Sequence, residues 1–328
     1  MKHRFPSWTQ MPKRHWRRFY RCFGIAWLTL LTGLATAWGA SKPWDEAEVV
    51  GDTAYIQRRD DSGWAIEAHR PATAGVVTAA LAPPTGTDAV LIEARLSAAT
   101  PGSVAFSAHE AGSGYPLGYW QNPLPLEQPT PVAAVLPLSH AVDSLRLFAG
   151  VHDQRAAASL SGLRVTFLRR SVHYPTLMYG AIVKPAEPVQ QSLTASSDRI
   201  GAVVVHLRAL GDQEGQTPDL IVRLVAFDGD VAASLNSPPV AQTRISARSI
   251  PTGQHGVDSD LAIPLHATVQ RGKTYLIEFA CAGDSLAAGD RARPVLLWCG
   301  PDGYADGRLY RNSQPTDWDL HLEIFEER

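Results

Sequence analysis

The chain has 328 residues, with 30 Lys+Arg against 32 Asp+Glu, and its 24 prolines and 26 glycines show no collagen-like period. Seven bases (Lys2, Arg4, Lys13, Arg14, Arg17, Arg18 and Arg21) precede residue 22 with no acid among them, which leaves 23 against 32, a net of −9, in the remainder. That balance excludes the basic footprint that nucleic-acid binding needs, and long Lys/Glu-rich helical stretches are absent.

Residues 1–22 form a basic segment, and residues 23–40 carry no charge. Their 18 positions approach the ~20 residues that span a bilayer and exceed the ~7–15 of a signal-peptide core. Charge is costly in hydrocarbon and a basic flank prefers the cytoplasmic side, so the N-terminus is expected inside and everything after Ser41 outside. The expectation is a single-pass transmembrane anchor in the inner (cytoplasmic) membrane, with the C-terminal part in the periplasm or extracellular space. Ala35-Thr36-Ala37 fits the cleavage pattern of a signal peptide, which keeps secretion after cleavage as the alternative. Cys22 precedes the apolar core and is therefore not the lipidated cysteine of a lipobox.

After the leader the chain reads as strand after strand. "VLIEARLS" puts Val90, Ile92, Ala94 and Leu96 on one face, and "GLRVTFLRR" turns Leu163, Val165 and Phe167 in and Arg164 and Thr166 out. "GVVTAALA" fits a short helix or a strand. "GAVVVHL" and "DLIVRLVAF" are apolar on both faces, as central strands are. "KTYLIEFAC" aligns Tyr275, Ile277, Phe279 and Cys281, and "DLHLEIFEE" sets Leu320, Leu322 and Ile324 against His321 and Glu323. Turn clusters such as Gly112-Ser113-Gly114 and Asp228-Gly229-Asp230 separate the runs. Many short strands without intervening helices predict an all-β protein built of antiparallel sandwiches. The ~285 residues after the leader suffice for two domains of about 100–200 residues. The boundary falls near residues 169–175, giving a first β-sandwich over residues 44–170 and a second over 174–328.

Cys281 and Cys299 are the two cysteines beyond the leader. An oxidising compartment permits a disulfide between them. In a simple hairpin their strand ends point to opposite extremities, which favours two free thiols, and both readings stay open.

The first unit, "DAVLIEARLSAATPGSVAFSAHE…GYW…DSLRLFAG…LSGLRVTFLRR", resembles the jelly-roll domains of the galactose-binding-like and carbohydrate-binding-module class. The second, "PVQQSLTASSDRIGAVVVHL…RGKTYLIEFACAG…YADGRLYRNS…DWDLHLEIF", is similar to β-sandwich modules of bacterial membrane and surface proteins. The resemblance implies ligand or partner binding through loops or a concave sheet face, without catalysis.

The motifs of chemistry are sparse. Gly283-Asp284-Ser285-Leu286 follows a strand, as the nucleophile motif of GDSL-type esterases does. It stands late in the chain, however, and lacks the Asp-x-x-His that supplies the base in those enzymes, so a plain loop is expected. Asp302, Asp306, Asp317 and Asp319 offer oxygens for a structural Ca²⁺, though Asp-Gly is also a common hairpin turn, and no other cofactor is indicated. Nine histidines follow the leader without the spacing of a zinc site and are read as scattered. The best ligand-binding candidates are Tyr115, Tyr119 and Trp120, with Gln121 and Asn122 beside them, in the presumed loop "GSGYPLGYWQNP". A flat ring matches the CH face of a sugar, and amides match its hydroxyl rim. Trp120 as a plug of the sandwich core is the competing reading. The expected function is non-catalytic recognition of a carbohydrate or an envelope protein. A structural module docked on another membrane protein is the alternative, and a hydrolase using Ser285 is a distant third.

Overall fold

The computed structural model describes residues 43–51, 56–59, 63–210, 216–252, 259–285, 291–301 and 303–328. The leader, with its anchor-or-signal stretch, lies outside the described residues, among which no helix is long and apolar enough to cross a membrane.

All pairings between the strands are antiparallel, as the alternation predicts. The first half contains β1 (Glu48–Val50), β2 (Ile56–Arg59), β3 (Gly63–Val77), β4 (Ala89–Ala98), β5 (Val104–Glu110), β6 (Pro116–Gln121), β7 (Leu126–Pro137) and β8 (Leu145–Tyr174). Its frame is a long β3–β8 ribbon, in which residues 63–68 face 156–161 and, past two bulges, residues 74–77 face 148–151. Bulges bend and twist a ribbon, so its two ends serve different layers. One end recruits β1, β5 and β6, and the other recruits β2, β4 and β7. Gly75 and Gly150 are direct partners beside the bend. A Cβ on Gly150 would lie 2.4 Å from the Ala74 carbonyl oxygen and 2.5 Å from Gly75 Cα, so the strands approach this closely only because both residues are glycine. The layers close over one core that joins Val90, Ile92 and Leu96 of β4 to Phe106 of β5 and Leu147 of β8.

The second half contains β9 (Tyr179–Val183), β10 (Val189–Thr194), β11 (Arg199–Ala209), β12 (Leu220–Ala226), the helix α1 (Val231–Leu235), β13 (Ala241–Ile245), β14 (Ser259–Thr268), β15 (Thr274–Cys281), β16 (Val295–Pro301), β17 (Leu309–Arg311), β18 (Gln314–Pro315), β19 (Trp318–Leu320) and β20 (Leu322–Glu327). One sheet runs β13-β12-β15-β10-β17-β18. The other centres on β11, which pairs with β14, β16 and β20. Val203, Val205 and Leu207 of β11 meet Leu220, Ile277 and Phe279 of the six-stranded sheet in a second core. The helix α1 is a single short element, capped by Asp230, whose side chain accepts from Ala233 N.

β8 belongs to both halves. After pairing with β4 up to Leu168, it continues to Tyr174 against β20, so no turn separates the two cores. The halves also meet face to face. Ala89 and Leu91 of β4 and Leu168 of β8 pack against Ala202 and Val204 of β11, Ala262 of β14 and Phe325 of β20, with Ala133 and Val135 of β7 at the margin. We call this contact the seam.

Some expectations change. "GVVTAALA" begins as the end of β3 and forms no helix. The aromatic stretch expected to be a loop contains strand β6, with Tyr119, Trp120 and Gln121 on it, paired with β5 from Ala105↔Gln121 to His109↔Pro116. Cys281 and Cys299 are free thiols. They end β15 and lie within β16, strands of different sheets, which replaces the imagined hairpin. Burial pushes both thiols up to about 11, so neither is a ready thiolate at neutral pH.

Candidate functional site: a cleft beside the seam

Where the seam ends, the two halves part around a cavity of about 410 Å³. The seam-facing positions of β4 alternate along the strand, and the second two are charged: Ala89, Leu91, Glu93, Arg95. Their partners on β8 follow suit, with Ala89 opposite Leu168, Leu91 opposite Thr166 and Glu93 opposite Arg164. One wall of the cleft therefore carries Glu93, Arg95 and Arg164. The opposite wall is β14, which among the described strands pairs with β11 alone, together with β13. It contributes Asp260, Ala262 and Pro264 from β14 and Thr243 and Arg244 from β13. Trp120 of β6 closes the first wall beside Leu124 and Leu126.

Trp120 is half-buried in β6. Its ring stacks on the buried Phe106 at 5.1 Å between centroids and 13° between planes, and it also lines the cleft. Strand alternation turns Tyr119 to the other face of β6, where its ring meets His152 edge-on at 6.0 Å. Tyr115 is exposed and lies 5.8 Å from the His140 ring. Gln121 donates from Nε2 to the Gly102 carbonyl at 3.0 Å. Asn122, fully buried, accepts from Val104 N at 2.8 Å and donates to the carbonyls of Thr100 and Leu124 at 3.0 and 2.9 Å. Both amides pin the turn before β5. Of the five candidates, Trp120 alone lines the cleft.

The charges divide into engaged and free. Arg244 donates to Asp219 at 2.8 Å and to Asp284 at 2.9 Å, and the hydrogen bond to Asp284 leads in raising its pKa. Asp284 of the esterase-like string is thus an arginine partner in a short 3-10 turn, and Leu286 lies outside the described residues. Glu93 binds His266, whose ring bridges to Glu327 at 2.8 and 2.6 Å. His266 sits at φ 45° where the β11–β14 register shifts, a left-handed position that carries its ring across to β4. The hydrogen bond to Glu93 first, and that to Glu327, outweigh partial burial and push its pKa up to about 9. Arg95 and Arg164 are exposed and have no ion-pair partner among the described residues.

The aspartates proposed for calcium have other settings. Asp319 is buried and accepts from Gln191 Nε2, Gly303 N and Tyr304 N at 2.8, 3.0 and 2.9 Å, which fixes the loop before β17. Asp306 and Asp317 are exposed, and Asp302 lies outside the described residues. Instead, one cluster joins histidines that looked scattered. His206 of β11 is the register partner of Asp260 on β14, and His321, between β19 and β20, completes the row. No sequence spacing announces this group, because two strands and the junction of β19 with β20 supply one residue each.

No known protein family and no curated protein matches the chain. Among solved structures, it is similar to the N-terminal CBM22-1–CBM22-2 tandem domain of Paenibacillus barcinonensis Xyn10C, at 12% identity over 82% of this chain and 91% of that one, with a TM-score of 0.25. A human norovirus GI.7 Houston particle subunit shares 9% identity over 84% of this chain and 79% of that one, with a TM-score of 0.17. An infectious bursal disease virus Gt strain structure shares 13% over 90% and 84%, with a TM-score of 0.15. Likeness at this level decides nothing about function, and the β-sandwich architecture stands on the strand pairing itself.

Proposed function

We propose that this protein is a non-catalytic recognition protein of the cell envelope that holds an acidic carbohydrate in the cleft. The observation that carries the reading is Trp120, backed by Phe106, beside the exposed Arg95 and Arg164, which have no ion-pair partner among the described residues. An indole face takes the CH face of a sugar ring, and a guanidinium fork takes a carboxylate or sulfate. In the same reading residues 23–40 tether the chain in the inner membrane, or direct its secretion, and the sandwiches lie in the periplasm or extracellular space. Two tandem jelly-roll-like sandwiches, over residues 44–170 and 174–328, are the form we assign to the recognition part. No cofactor takes part in the recognition.

The test is a glycan array followed by titration calorimetry with the full chain in detergent. Uronate-bearing or sulfated glycans are retained, and Trp120→Ala weakens them at least tenfold, while Trp120→Phe keeps the stack on Phe106 and part of the affinity. Retention of no acidic glycan, or equal binding by Trp120→Ala, overturns the reading.

A second reading is a structural module docked on another membrane protein. It is favoured by Leu177, Met178 and Tyr179, which are 51%, 61% and 45% exposed in one run, with Tyr179 stacked on Trp318 at 4.7 Å. A membrane protein that co-purifies with the wild type and is lost on Met178→Asp supports it.

A further inference from the structure

We propose that His206, Asp260 and His321 bind a zinc ion at the margin of the cleft. The three side chains stand side by side on the outer face of the β14–β11–β20 sheet. On β11 the residues Val203, Val205 and Leu207 point into the core, so His206 shares the opposite face with Ala202 and Val204. Asp260 is its register partner. His321 alternates with the core residues Leu320 and Leu322 and so projects to that same outer face.

The distances suit one ion. The ligand atoms of the three residues all lie within 4.8 Å of one another. His206 Nδ1 is 2.7 Å from Asp260 Oδ1, and His321 Nε2 is 3.7 Å from it. Tetrahedral zinc with bonds of ~2.0–2.2 Å sets its ligand atoms roughly 3.3 Å apart, so shifts of under about 1 Å close the site. The other ring nitrogen of His321, Nδ1, lies 3.2 Å from the Thr176 carbonyl oxygen. A carbonyl only accepts, so Nδ1 carries the hydrogen, and in the neutral ring Nε2 presents its lone pair toward the Asp260 carboxylate. Two acceptors then face each other across 3.7 Å, an arrangement that a cation between them satisfies. An imidazole that gives its far N–H to a backbone carbonyl is also how metal-bound histidines are oriented.

The donor set selects the metal. Two imidazole nitrogens and one carboxylate oxygen form a borderline set, poor for Ca²⁺ and suited to Zn²⁺. Three protein ligands leave a fourth position for water. Asp260 lines the cleft and its side chain is 63% exposed, which gives the ion an entry path. The Trp298 ring flanks His206 at 6.4 Å, and its buried indole N–H has no acceptor among the described residues.

The full chain, purified in detergent with a histidine-free tag and stripped with EDTA, is titrated with Zn²⁺ by calorimetry and with Co²⁺ by visible absorption. One ion per chain is expected, with the intense d–d bands of tetrahedral Co²⁺. Asp260→Asn changes an exposed side chain without changing its shape, and is expected to weaken Zn²⁺ at least 100-fold while circular dichroism stays that of the wild type. His321→Gln removes the second ligand and has the same effect. Absence of stoichiometric Zn²⁺ binding in the wild type, or undiminished binding by folded Asp260→Asn, overturns the proposal. Glycan binding is measured separately, so either result stands without the other.

Discussion

The seam and the cleft are made by the same two faces of the same two halves, yet one is dry and closed and the other is open and charged. The change takes two residues on β4. Ala89 and Leu91 are buried against Ala202, Val204 and Phe325, while Glu93 and Arg95, next on that face, line a cavity. Apolar faces merge because burial removes area from water at roughly 25 cal/mol per Å². Guanidinium and carboxylate groups keep their hydration unless each finds a partner, so the sheets part where the charges begin. The comparison separates work within one interface: the seam holds the halves together, and the cleft keeps polar groups available.

Truncating the seam is expected to have the largest effect. Phe325 is 1% exposed and belongs to the contact, and Phe325→Ala is expected to cost about 3–5 kcal/mol in denaturant unfolding, with Leu91→Ala costing about 2–5 kcal/mol. Because β8 runs through both cores, the loss is expected in one shared transition. A cost below about 1 kcal/mol, or two separated transitions in the wild type, breaks the view of the seam as the joint.

The next effect is smaller and lies on the border between the two regions. His266 links Glu93 of the first half to Glu327 of the second. Folding raises its pKa from 6.5 to about 9, so the folded protein keeps the proton that the unfolded chain releases. The contribution is whole below pH 6.5 and is lost as the pH rises toward 9. The ring is about a third exposed, which limits the gain to at most about 1 kcal/mol. Thermal midpoints are expected to fall between pH 6.5 and 9, and His266→Gln to flatten that slope. An equal slope in wild type and variant assigns the pH dependence elsewhere.

Half of this arrangement is legible in the sequence. The inward faces of "VLIEARLS", "GLRVTFLRR" and "DLHLEIFEE" fall where alternation puts them, because a pleat repeats every two residues whatever packs on it. "GAVVVHL" is apolar on both faces because Val203 and Val205 enter a core and Ala202 and Val204 enter the seam. What stays hidden is which outward face meets which. Leu91 on an outward face implies some cover but does not name Phe325, some 230 positions away. The row Asp260–His206–His321 exists only through register, which no local spacing records. Trp120 is legible as an aromatic worth attention. That it sits on an edge strand, while Asn122 is consumed by backbone hydrogen bonds, follows from the β5–β6 pairing.

The smallest expected change in stability belongs to the cleft arginines, and it decides whether the division of labour is real. Arg95 and Arg164 are exposed and without ion-pair partners among the described residues, so Arg95→Ala and Arg164→Ala are expected to shift unfolding by no more than about 0.5 kcal/mol. Arg164 faces Glu93 across the β4–β8 pair, and its removal leaves that carboxylate its hydrogen bond to His266. If the cleft is kept open for an anion, the same substitutions weaken acidic-glycan binding at least tenfold and reduce its salt dependence, because each guanidinium removed takes away a charge contact. A stability loss as large as that of Leu91→Ala, with glycan binding intact, would make the cleft a second joint. Unchanged stability with lost binding, at both positions, separates the open region from the sealed one on a single protein.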